Sequence, residues 1–66
     1  MNKDIIAGKW KQISGKAKAM WGDLTDNDLE KVEGDAERLA GLLQEKYGKT
    51  REQAEKEVKS FFDDNQ

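Results

Sequence analysis

Sixty-six residues with no Cys and no His make one small domain over 1–66, and exclude disulfides and the usual zinc sites. Charged residues are 39% of the chain and mean hydropathy is −1.04, close to disordered compositions, yet the net charge is only −2 and two Trp, two Phe and one Tyr offer large apolar groups. No apolar run approaches the length of a membrane span and no signal-peptide pattern opens the chain, so a soluble, cytoplasmic protein is expected.

Helix signals dominate from the start, since Pro is absent and the β-branched residues do not alternate. Ile6, Trp10, Ile13, Ala17 and Met20, with Trp21 alongside, are spaced by fours and threes. That is one apolar stripe of an amphipathic helix over roughly residues 3–21. Trp10 and Trp21 lie three turns apart on it and are expected in the core, against the segment bearing Leu39 and Leu43.

Gly22 offers a left-handed stop, and Thr25 with Asp28 resembles a capping box that opens a second helix. Tyr47-Gly48 repeats the stop, and Thr50 with Gln53 repeats the box before a last helix over 51–62. Its apolar face carries Ala54, Val58 and Phe61, with Phe62 beside it. Glu52–Lys56 and Glu55–Lys59 are spaced to pair on its outer side.

Between these, Gly34 is ambiguous. It can end a helix at 33 and let Asp35 cap a new one, giving segments 26–33 and 35–47. Yet Leu29, Val32, Ala36, Leu39, Leu43 and Tyr47 keep one helical phase across it. A continuous helix 26–47, about 33 Å long, would make a three-helix bundle instead. Residues 8–22 and 34–48 also match in outline, with Gly at start, middle and end, an apolar residue at 13 and 39, and an aromatic at 21 and 47. The chain therefore reads as two related helical hairpins.

Residues 1–22 carry five Lys against Asp4, whereas residues 23–66 carry seven basic and thirteen acidic groups. Lys9, Lys11, Lys16 and Lys18 flank a line of glycines on the first helix. They are the candidate contact for an anionic surface or a weakly bound nucleic acid. Against that use, the Trp rings belong to the apolar stripe and the chain as a whole is acidic, so a solvated Lys face is the simpler expectation. A lipid surface is disfavoured for the same reason, because the stripe is needed for a core.

Other motifs fail on spacing. Six residues separate Gly8 from Gly15, Ala17 follows Lys16, and the segment is helical, so no phosphate-binding loop is present. Asp26, Asp28, Glu30 and Glu37 occupy positions 1, 3, 5 and 12 of a calcium loop, but Lys31 stands where Gly is required. No nucleophile has a recognisable base, so no enzyme, cofactor or metal site is expected.

The motifs G-x-W-K-Q-x-x-G-K, WG-x-LT-D-x-D, EG-x-x-x-x-L-x-G and YG before A-E-K-E-V together resemble the CsbD-like family of small bacterial general stress-response proteins. The likeness spans nearly the whole chain, with a conservative departure at Phe61-Phe62. It implies an all-α fold of two packed helical hairpins, with four short helices over roughly 3–21, 26–33, 35–47 and 51–62. It implies stress-linked abundance, and no catalytic or ligand residue that could be carried over. The function expected is a protective or interaction module, acting as a monomer, with the Lys-rich first helix as the alternative binding surface.

The two threonines are expected to be helix caps. Thr25→Ala or Thr50→Ala should cost ~0.5–2 kcal/mol in denaturant titrations, and replacement by Asp much less.

Overall fold

A computed structural model describes residues 3–65, so the domain expected over 1–66 extends slightly beyond it. Five helices follow one another: α1 (Lys3–Gly8), α2 (Trp10–Met20), α3 (Asp26–Val32), α4 (Ala36–Tyr47) and α5 (Arg51–Asp64). The fold is all-helical. α2 packs on α3 and α4 on α5, giving the two hairpins, and α3 against α4 joins them.

The helix starts are set locally. Thr25 Oγ1 accepts from the Asp28 amide at 3.0 Å, and Asp28 Oδ2 accepts from the Thr25 amide at 3.2 Å. Thr50 and Gln53 make the same reciprocal pair at 3.1 and 3.3 Å. Asp35 Oδ1 accepts from the Glu37 and Arg38 amides at 2.9 and 3.2 Å. Each box satisfies amides that the first turn of a helix leaves without partners.

The core is one apolar cluster, with Ile6, Leu24, Leu29, Leu39, Leu43, Val58 and Phe62 essentially sealed from solvent. Trp10 and Trp21 are buried in it. Their direct ring contacts go to α5: Trp10 meets Phe62 edge-on at 6.2 Å, and Trp21 meets Phe61 edge-on at 5.0 Å. Leu39 and Leu43, their expected neighbours, belong to the same cluster.

Three local expectations need correction. The first helix is not continuous over 3–21, because it breaks at Lys9 (φ −108°, ψ 11°), whose amide is shared between the Ile5 and Ile6 carbonyls. Gly8 weakens the helix there, and the break lets α1 lean onto the α3–α4 joint. Gly22 does not adopt the left-handed stop; α2 ends through Trp21 (φ −120°, ψ 86°), whose ring is held in the core, and a Leu24-to-Trp21 bond of 3.1 Å closes the turn. On α5, Glu55 pairs with Arg51 at 2.9 Å, one turn earlier than the expected Lys59.

The joint at Gly34 is decided by tertiary contact. Glu33 (φ 52°) and Gly34 (φ 82°) are both left-handed, so the continuous helix 26–47 is ruled out and the two-segment reading holds. Gly34 is buried, and a Cβ there would stand 3.2 Å from the Ala7 Cα and 3.3 Å from the Ile6 side chain. Only glycine allows α1 to approach so closely.

The glycines should therefore respond in opposite directions. Gly34→Ala adds left-handed strain and crowds the α1 backbone, which must give by a few tenths of an ångström, for an expected loss of about 2 kcal/mol or more. Gly15→Ala enters open space and should stabilise by ~0.5–1 kcal/mol. Thermal melts of the two single variants check both signs.

Candidate functional site

α3 has only seven residues, so its position depends on its neighbours. The Leu29 carbonyl lies in its last turn, where intrahelical donors run out. It accepts the Trp10 indole N–H at 2.7 Å, a buried bond across nineteen residues. The Lys31 carbonyl accepts from the Arg38 guanidinium at 3.2 Å, and the Val32 carbonyl from the Asp35 amide at 3.0 Å. Side chains from α2 and α4 thus close the end of α3.

With α3 held in this way, a groove of about 790 Å³ opens between it and α1–α2. Ala7 and the exposed strip of Trp10 form its floor, over the sealed Leu29; Asp26, Glu30 and the α3 cap residue Glu33 line one wall, and Lys11 and Ser14 line the α2 wall. Trp10 is 9% exposed, so a small part of the indole reaches this surface. Asp26 is bonded to Lys18 at 2.9 Å, whereas Glu30, Glu33 and Lys11 form no ion pair among the described residues. The walls therefore present open charges of opposite sign. A second groove, of about 540 Å³ between α3 and α4, is crossed by the Lys46–Asp28 bridge at 3.3 Å.

The four lysines singled out in the sequence are all exposed, but they do not act as one patch. Lys11 and Lys18 face α3, through the groove and the Asp26 bridge respectively. By helical phase Lys9 and Lys16 occupy the opposite flank. A Cβ on Gly8 or Gly15 would meet nothing within 4 Å, so the glycine line between the flanks is open to solvent.

At the other end of the molecule, Glu57 joins three segments. Its Oε2 lies 2.8 Å from Lys49 Nζ, and its Oε1 accepts the Trp21 indole N–H at 3.2 Å. The Lys49 ammonium, with help from that indole, holds the Glu57 carboxyl below its ordinary pKa. Asp28 is likewise held low, first by the Thr25 backbone amide of its capping box. The Tyr47 hydroxyl accepts from the Asp23 amide at 3.0 Å, fastening the α2–α3 turn to the end of α4. These are structural tethers. Among the described residues no group of three or more His, Cys, Asp or Glu side chains is placed to hold a metal ion, and no helix is long and apolar enough to cross a membrane.

Comparison with known proteins fixes the kinship. The CsbD-like family model matches residues 4–56. The chain belongs to the CsbD-like family. A UPF0337 protein of Bordetella pertussis is 69% identical over 65 residues, covering 98% of each chain. A UPF0337 protein of Pseudomonas aeruginosa is 59% identical over 63 residues, 96% of this chain and 97% of its own. The UPF0337 protein YjbJ of Escherichia coli O6:H1 is 52% identical over 61 residues, 92% and 88% of the two chains. No solved structure matches. This CsbD-like chain thus joins a bacterial stress-response family whose molecular activity is uncharacterised.

Sequence reasoning singled out Trp10, Lys11, Asp26, Leu29 and Glu30 of the groove, though not as neighbours, and missed Ala7, Ser14 and Glu33. Trp10 and Leu29 share no local signal. Trp10→Phe keeps most of the ring packing and removes the donor to Leu29. It should cost ~1–3 kcal/mol, the usual loss when a buried acceptor is left unpaired. Hydrogen exchange should show the α3 amides opening faster than those of α4.

Proposed function

We propose that this CsbD-like protein is a small cytoplasmic stress-response module that works as a single chain by docking a protein partner on its surface. One observation carries the reading: the groove beside Trp10, with an apolar floor and walls of opposite open charge. An apolar floor rewards burial of partner side chains, and charged walls set their orientation and exclude mismatched partners. High surface charge around a wholly apolar core suits a protein that is abundant without self-aggregating. Chemistry on a bound substrate is not part of this proposal.

A second reading has its own support. Lys9 and Lys16 lie exposed beside the open glycine line and form no ion pair among the described residues. With Lys11 and Lys18 on the other flank, they could meet an anionic surface or a nucleic acid, held weakly and lost at moderate salt.

Photo-crosslinking in stressed bacteria separates the two. A photoreactive residue at Lys11 or Glu33 should yield discrete protein adducts, and one at Glu52, on the outer side of α5, should not. Adducts confined to Lys9 and Lys16 and containing nucleic acid would favour the second reading. The absence of any position-dependent adduct would remove both.

A further inference from the structure

We infer that the occupant of the groove beside Trp10 is one amphipathic helix of a partner protein, with cationic side chains on the flank that faces α3. This rests on the proposal that the protein is a docking module, and adds the chemistry of what docks.

The floor selects apolar side chains. Ala7 has no polar group there beyond backbone, Leu29 beneath it is sealed from solvent, and the one donor of Trp10 is already used on the Leu29 carbonyl. An incoming polar group would lose water and find no partner on the floor. The rim selects charge. Asp26 and Glu30 lie one turn apart on α3, about 6 Å along its axis at 1.5 Å per residue, and the cap residue Glu33 continues the acidic rim beyond the end of the helix. Lys18 already neutralises Asp26, which leaves Glu30 and Glu33 as the open pair. Lys or Arg side chains three or four residues apart on a helix running along α3 repeat the spacing of that pair. Lys11, on the facing wall, is matched by an acidic or neutral residue on the other flank of the occupant. Two helices forming the walls leave a trough into which the ridge of a third helix fits, and there is no open strand edge among the described residues to recruit an extended peptide.

The wall is firm enough to be read. α3 is closed at its C-terminal end by Trp10 and Arg38 and at its start by the Thr25–Asp28 box. The backbone that carries these carboxylates is thus positioned before any partner arrives, which reduces the ordering cost of docking.

The test uses the 15N-labelled full chain and a synthetic helical peptide with leucines on one face, lysines three apart on one flank and glutamates on the other. Amide shifts should concentrate at Ala7, Lys11, Ser14, Glu30 and Glu33. A peptide with glutamates on both flanks should bind about tenfold more weakly, as should Glu30→Lys/Glu33→Lys, whereas Glu52→Lys should bind unchanged. Ser14→Phe, which fills the trough from a half-buried helical site, should abolish the shifts; melting temperatures near that of the natural chain establish that each variant is folded. Shifts elsewhere on the surface, or equal binding by the double variant, would overturn the inference. So would the same shifts appearing with protein concentration alone, since the occupant would then be a second copy. If the peptide fails while crosslinks at Lys11 and Glu33 persist in cells, the occupant's chemistry is wrong and the docking module stands; loss of both removes both.

Discussion

The hydrogen bond from the Trp10 indole to the Leu29 carbonyl is the constraint on which the rest of the molecule depends. A seven-residue helix such as α3 does not persist alone in water, and its last carbonyls need donors from elsewhere. Trp10 supplies one from α2 while its ring edge meets Phe62 on α5, so a single side chain fixes three helices against each other. That bond and the Lys18–Asp26 bridge together set the distance of the acidic rim of α3 from the lysine flank of α2. The groove exists because a core residue is also a helix cap.

The two halves of the chain repeat in outline and diverge in use. Gly8 lies exposed at the end of α1, whereas its counterpart Gly34 is buried, left-handed and pressed against Ala7. Gly22 lies in a turn closed by Trp21, whereas Gly48 ends α4 in the left-handed conformation. Trp21 packs inward on Phe61 and bonds to Glu57, whereas Tyr47 is partly exposed and fastens the neighbouring hairpin through its hydroxyl. Equivalent positions serve the interior in one hairpin and the junction between hairpins in the other. That asymmetry makes one compact unit from two similar parts.

What could be read from the sequence divides along the range of the forces involved. The Thr25–Asp28 and Thr50–Gln53 boxes, the Asp35 cap and the Gly48 stop depend on residues within three or four positions, and all stood in the sequence. The apolar stripes identified Trp10, Trp21, Leu39 and Phe61 as core because periodicity alone encodes a buried face. The break at Lys9 and the different fate of Gly22 were not legible, since both follow from where α1 and Trp21 must sit in the assembled core. The choice at Gly34 was undecided by local phase and is settled by Ala7, twenty-seven residues away. The groove was invisible for the same reason: its floor and both walls come from separate helices brought together by the Trp10 bond.

Each helix packs mainly on the next one along the chain: α1 on α2, α2 on α3, α3 on α4 and α4 on α5. Contacts of this kind close short loops, and helical domains built from them fold on the microsecond-to-millisecond scale. The chain has no proline whose isomerisation could delay it and no cysteine to mispair. The Trp–Phe contacts close long spans, joining Trp10 to Phe62 and Trp21 to Phe61. For a protein of a stress-response family, the lack of proline and cysteine means that recovery after unfolding need not wait on prolyl isomerisation or disulfide exchange.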